Sequence, residues 1–279
     1  MDYGKVAFVG GGNMARALVG GMLVAGYAPN HILISEPLDG HRERLANEFP
    51  GTIIRKNNAD VVGEAECVVL AVKPQILPEV CKQLATAVQT NKPLVISIAA
   101  GVRSGDIDTW LGGGFSVVRV MPNQPALIRL GISGLYANAK TTQKQRRAAN
   151  NIVSTTGPVI DVKTEDDIDT VTAISGTGPA YFYLLVDMLV SVAEQMGLDR
   201  DSALALVLET ARGAGEMAER SGESMDTLIS RVRSPGGTTA AAFDYIDSTN
   251  FRDIFSAAVI AARDRAKLLA DQAHETGRG

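Results

Sequence analysis

The stretch Val6 to Leu18 reads V-A-F-V-G-G-G-N-M-A-R-A-L. An apolar run, Val6 to Val9, meets Gly10, Gly11 and Gly12, and a helical pattern begins at Asn13 or Met14. That is a strand, a tight turn and a helix. In the pattern G-x-G-x-x-A (Gly10, Gly12, Ala15) the first glycine permits the turn and the second lets backbone approach a pyrophosphate. The small third residue lets the helix pack on the strand. Free N–H groups at the helix start face the phosphates. A glycine triple alone serves equally well as a plain turn. The buried-type strand before it and the strand–helix units behind it favour dinucleotide binding.

The next units repeat this alternation. Gly26 suits the end of the first helix, and Ile32 to Ser35 the second strand. Glu36 follows directly, where an acid favours a free ribose 2′-hydroxyl and repels a 2′-phosphate. Arg42 and Arg44 lie just beyond, placed to offset that repulsion; all three residues also suit a solvated helix start. Strands are predicted at Thr52 to Ile54, Cys67 to Val72, Leu94 to Ile98 and Ser116 to Met121. The run C-V-V-L-A-V is continuous and apolar, as in a parallel strand covered on both faces. Helices are predicted at Asn58 to Glu64, Gln75 to Val88 and Arg103 to Leu111, and Asn58 reads locally as a helix N-cap. Ile132 to Tyr136 and Val159 to Val162 read as added strands around a helix near Gln143 to Ser154. The alternation predicts a doubly wound α/β domain over residues 1–162, with its ligand at the carboxyl ends of the strands.

After Val162 the pattern turns all-helical, so residues 163–279 form a second domain. Thr164 caps a helix to about Ile174, and Gly176-Thr177-Gly178-Pro179 is expected to break it. Tyr181 to Met196 is apolar nearly all round and therefore belongs in a core or a subunit interface. Asp199 caps a helix to about Arg220, Met225 to Val232 forms another, and Thr238-Thr239 open the next. Phe251, Ile254, Phe255, Ala258 and Ala262 mark one face of a last long helix, and Thr276 to Gly279 is expected to fray.

Composition narrows the chemistry. Of 279 residues, 46% are hydrophobic and 21% charged, as in an ordinary globular protein, and the net charge of −4 gives no reason to expect nucleic acid. Two cysteines, Cys67 and Cys81, lack metal or redox spacing and fit a reducing compartment, with the cytoplasm the expected location. The most apolar helix, Tyr181 to Ala193, carries Asp187 and is too short for a bilayer. Only His31, His41 and His274 occur, at an expected turn, helix start and tail. A histidine acid or a histidine metal site is not expected, and no metal is.

The run S-P-G-G-T-T (234–239) resembles the diagnostic motif of the pyrroline-5-carboxylate reductases. So do G-G-G-N-M-A (10–15), A-V-K-P (71–74), S-I-A-A-G-V (97–102), R-V-M-P-N (119–123) and S-G-T-G-P-A-Y (175–181), in matching order across essentially the whole chain. Members of that family reduce 1-pyrroline-5-carboxylate to L-proline with NAD(P)H, the last step of proline biosynthesis. The resemblance implies a Rossmann domain followed by an all-α dimerisation domain that interlocks two subunits. It places Val9, Gly10, Gly11, Gly12, Asn13 and Met14 on the cofactor, together with Ser35, Glu36, Pro37 and Asn58. It adds Ala71, Val72, Lys73 and Pro74, and then Ile98, Ala99 and Ala100. Glu165, Gly236, Gly237, Thr238 and Thr239 would surround the substrate, with Thr239 in the catalytic role. Two positions depart from the family pattern: Gln124 stands where Thr is common, and Arg231 where Asn or another polar residue is found.

The resemblance and the residues agree on chemistry. A protonated imine accepts hydride readily and water can supply the proton, so scarcity of histidine is no handicap. A helix start at Thr238-Thr239 behind two glycines suits a carboxylate; by spacing alone it reads as an ordinary N-cap. Lys73 likewise reads as a cofactor-facing residue or an exposed lysine, and Glu165 as a first-turn acid. NADPH is the expected cofactor with NADH also accepted, NADPH being modestly better if Arg42 or Arg44 reaches the 2′-phosphate. A homodimer is expected. The rivals are a β-hydroxyacid dehydrogenase and a non-catalytic NAD(P)-binding regulator. The first needs a lysine on a helix of the second domain, and none lies between Lys163 and Lys267.

Overall fold

The structure, a computed structural model, describes residues 4–276. The glycine-turn unit forms as read: β1 (Val6–Val9) leads into α1 (Asn13–Val24). Gly26, at φ +88°, ends α1, where the N–H groups of Ala25, Gly26 and Tyr27 donate to carbonyls of its last turns. Then come β2 (Ile32–Ser35), α2 (Asp39–Glu48), β3 (Ile53–Arg55), α3 (Asn58–Val62) and β4 (Cys67–Leu70). They are followed by α4 (Leu77–Asn91), β5 (Leu94–Ser97), α5 (Ser104–Trp110), β6 (Val117–Met121) and β7 (Ser133–Ala137). α6 (Gln143–Val153) and β8 (Val159–Asp161) close the sheet.

The eight strands pair in the order β3-β2-β1-β4-β5-β6-β7-β8. All neighbours are parallel except β6 and β7, which run antiparallel. Val6 aligns with Ile32 on one side and Cys67 on the other, so the chain changes winding direction at β1. That change opens a crevice at the strands' carboxyl ends. Alternation of side chains explains the two cores. Val6 and Phe8 face Leu18, Met22 and Ile152 on one side of the sheet. Ala7 and Val9 face Leu77, Leu84 and Trp110 on the other. Cys67 and Cys81 are buried free thiols; burial holds both pKa values up, that of Cys81 at about 12.

Two expectations need correction here. Asn58 is the first residue of α3, not its cap; Asn57 holds the cap position, and its amide donates to Asp60 at 3.1 Å. The interruption expected at Gly176 to Pro179 is present, a new α-helix opening at Gly178 with Pro179 in its first turn, whereas Thr164 leaves the cap of the preceding helix to Asp166. A π turn, Thr172–Gly176, joins α7 (Asp167–Val171) to α8 (Gly178–Gln195). The Thr177 N–H donates to the Thr172 carbonyl at 2.8 Å, and the Thr177 hydroxyl donates to the same oxygen at 3.0 Å. One backbone bond and one hydroxyl thus span the π turn. The resulting run, Asp167–Gln195, is 29 residues long and, contrary to the sequence expectation, long and apolar enough to cross a membrane by length and composition. Only 17% of its most apolar stretch is buried within the chain.

The chain divides into two compact units, residues 1–177 with 261–279, and residues 178–260. The boundary expected at 162/163 marks the end of the last strand. The compact division falls later because α7 packs under β6 and β7, and because the chain returns to the first unit near its end. The second unit holds α8, α9 (Arg200–Ser221), α10 (Met225–Val232), α11 (Thr238–Asp247) and the opening turns of α12 (Phe251–Thr276). Asp199 caps α9 as read, accepting from the Ser202 N–H at 2.9 Å. Tyr181 meets Phe255 edge-on at 5.5 Å, tying α8 to α12.

Candidate active site

The residues assigned to a cofactor in the first unit lie in turns at one edge of the sheet. Gly10 is required by the chain itself: its φ is +101°, and a Cβ there would stand 2.8 Å from the Ala71 carbonyl oxygen. Gly12 differs. Its φ is −68°, open to any residue, and no protein atom lies within 4 Å of where its Cβ would be. It occupies the N-cap of α1 with no side-chain bond to the first-turn N–H groups. Bare donors beside open space fit the pyrophosphate of a dinucleotide.

Glu36 closes the other side of this turn. Its carboxylate accepts from the Gly11 N–H at 3.3 Å and the Leu38 N–H at 3.2 Å, and the residue is 7% exposed. Arg42 turns its guanidinium onto its own loop. One nitrogen donates to the carbonyls of Glu36 and Pro37, both at 2.8 Å, and another pairs with Asp39. Arg44 is exposed on α2.

Asn58 begins α3 just past β3, half-buried. Ala71 to Pro74 follow β4, with Lys73 exposed and extended ahead of a 3-10 turn. Ile98, Ala99 and Ala100 follow β5, with Ala99 buried. A cavity of about 410 Å³ opens beside these last two turns, lined by Pro74, Ala100, Gly101, Arg265, Leu269 and Ala273 among others.

Glu165 is not a free first-turn acid. It lies ahead of α7, and its carboxylate accepts from the Ser104 N–H at 2.6 Å, the Ser104 hydroxyl at 2.9 Å and Arg119 at 3.0 Å. Arg119, on β6, is 2% exposed. Arg103 pairs with Asp169 at 2.8 Å and Asp166 at 3.0 Å. Burial pushes the Arg119 pKa down and the Asp169 pKa up, while Glu165 and Arg103 respectively oppose those shifts. Sequence reading missed this cluster. Its signal was one charge inside an apolar strand, V-V-R-V-M (117–121).

In the second unit, Ser234 to Gly237 turn sharply, with Gly236 at φ +73° and the Gly237 N–H donating to the Ser234 carbonyl at 3.0 Å. Gly237, not a threonine, is the N-cap of α11, and no side chain caps the first-turn N–H groups. The ordinary-cap reading of Thr238 and Thr239 therefore fails; they are the first two residues of the helix itself.

The family model for pyrroline-5-carboxylate reductase dimerisation matches residues 165–269. A second, described as NADP oxidoreductase coenzyme F420-dependent, matches residues 5–101. A pyrroline-5-carboxylate reductase of Pseudomonas aeruginosa is 42% identical over 272 residues, covering 98% of this chain and 99% of that one. The chain belongs to the pyrroline-5-carboxylate reductase family. The pyrroline-5-carboxylate reductase structure from Coxiella burnetii superposes with a TM-score of 0.90 at 39% identity, over 96% of this chain and 99% of that one. The Plasmodium falciparum pyrroline carboxylate reductase with NADP bound gives 0.86 at 29%, over 97% and 99%. Within this reductase family the fold order is as read from sequence, a nucleotide-type parallel sheet before a helical dimerisation region.

Proposed function

We propose that this protein reduces 1-pyrroline-5-carboxylate to L-proline with NAD(P)H. The observation that carries the reading is near-complete coverage at 42% identity by a relative of that name. The bare N-cap of α1 at Gly12 supports the cofactor half of it. NAD(P)H, when bound, supplies the hydride that goes to the imine carbon. The ring nitrogen takes a proton in the same overall reduction, so the C=N double bond becomes C–N and N–H.

The chain's part is to bind and orient. The uncapped first turn of α11 suits the substrate carboxylate, held within the Gly236 to Thr238 segment by the Gly236 and Thr238 N–H groups, that of Gly237 being engaged by the Ser234 carbonyl. In this reading the Thr239 hydroxyl orients the ring nitrogen and relays a proton from water. A threonine hydroxyl is too weak an acid to drive protonation itself. Glu165 serves through its carboxylate, already fastened to Ser104 and Arg119. Two buried, unpaired thiols support a reducing compartment, and with it the cytoplasm.

A steady-state assay with the cyclic imine and NAD(P)H tests the activity and separates it from both rivals. Proline must appear as the nicotinamide is oxidised. Thr239→Ala tests the residue. Loss of one hydrogen bond made at the reacting group lowers turnover by roughly ten- to a hundredfold. Because Gly237 is the cap, the melting temperature stays near wild type. Thr239→Ser retains much of the rate. Wild-type turnover in Thr239→Ala would remove this hydroxyl from the mechanism.

A further inference from the structure

The run R-V-R-S-P-G-G (231–237) sets two arginines directly before the turn that leads into α11. Each has its acids on a different side. Arg231 reaches back to Glu223, ahead of α10, with one nitrogen at 2.5 Å and the other at 2.6 Å. Arg233 reaches forward, across the turn. It is the C-cap of α10, its N–H donating to the Ile229 carbonyl at 3.0 Å. Its half-buried guanidinium donates to Asp244 at 2.7 Å and to Asp247 at 3.4 Å, both on α11. It also lies over the Phe243 ring, 5.3 Å from the centroid. One side chain therefore joins the end of α10 to the body of α11, with Ser234 to Gly237 strung between. That segment includes Gly236 at φ +73°, a residue with no side chain to hold it in place.

We propose that Arg233 is a positioning residue for the substrate. By fastening α10 to α11 it fixes the angle at which the Gly236 and Thr238 N–H groups and the Thr239 hydroxyl meet one ligand. The proposal rests on the reductase reading for the identity of that ligand. A single exposed ion pair contributes little, but two carboxylates and a ring face on one guanidinium form a network. Its effect is on placement, where a small displacement of binding groups has a large cost in rate. Lysine is no equal substitute, because a point charge neither forks to two acids nor stacks on a ring.

Steady-state kinetics and amide hydrogen exchange of Arg233→Ala test this. Asp244→Asn is the second variant; it removes the nearer acid and leaves Asp247, which Arg252 shares at 3.4 Å. Arg233→Ala raises KM for the cyclic imine about three- to tenfold and lowers kcat, while KM for NAD(P)H stays within about twofold. Asp244→Asn moves the same constant in the same direction, and the two changes together are less than additive. Arg233→Lys recovers part of the loss. Exchange at the amides of residues 236–239 quickens by about tenfold in Arg233→Ala. That reading needs no turnover. A wild type inactive on the imine refutes the reductase reading, and exchange still decides the role of Arg233. Unchanged exchange over 236–239 overturns the proposal. So does a wild-type KM for the imine in a folded, active Arg233→Ala protein, or a lowered melting midpoint with both Michaelis constants unmoved. Should Arg233→Ala fail to fold, Asp244→Asn decides by the same two readings.

Discussion

Arg119 joins parts of the chain that no local pattern connects. It lies on β6, and Glu165, its partner, is 46 residues away in sequence. Ser104 at the head of α5 completes the set, so three segments meet on one carboxylate. A guanidinium this deeply buried is costly without its pair, and removal of one partner strands the other. Arg119→Ala is expected to destabilise the protein by about 3–5 kcal/mol, measured by urea denaturation. A loss under about 1 kcal/mol would mean that Glu165 finds solvent instead. The charge in V-V-R-V-M was visible in the sequence, but its partner was not, because ion pairs between distant segments leave no periodicity. Glu165 was singled out by resemblance alone, and the geometry adds what resemblance lacked: the atoms it already holds.

Elements were legible wherever a backbone requirement shows in residue type. Gly10 and Gly26 both have positive φ, the first read as a tight turn and the second as a helix stop. The strands followed from apolar runs, with ends displaced by a residue or two. The interruption at Gly176 was legible from its glycines and proline, whereas the π turn before it, bridged by bonds between Thr172 and Thr177, has no sequence signature. Capping is more local and therefore easier to test. α6 begins with a full capping box, Thr142 accepting from the Gln145 N–H at 3.3 Å while Gln145 accepts from the Thr142 N–H at 2.9 Å. Thr142→Ala should cost about 1 kcal/mol, lowering the melting midpoint by roughly 2–4 °C without altering turnover. A larger loss would show that α6 depends on more than its cap.

At the scale of the whole molecule the decisive surface is α8. Among its 18 residues only Gly178 and Val190 are buried, while Phe182, Leu184 and Leu189 each expose more than half their area. An apolar helix left this bare marks an interface, and the matched family region is a dimerisation region. A second copy of the chain is the expected cover, which also accounts for a helix that passes the length and composition test for a membrane. Sedimentation at micromolar concentration should give a dimer or a larger homo-oligomer. A stable, active monomer would contradict this. The sequence showed that the helix needs a partner. It did not show that the first compact unit reclaims the chain after residue 260, because α12 keeps one helical pattern throughout.

That return has a consequence for biosynthesis. Ala266 and Ala270 are buried in the first unit, Leu269 closes over Gly101, and His274 bonds Asp106. On the ribosome these residues are made after 178–260, when the eight strands already exist. The nascent sheet domain must wait with an open flank around Gly101 and Asp106 until a whole further unit has been translated. Domains that emerge first commonly fold first; here the first to emerge is the last to be finished.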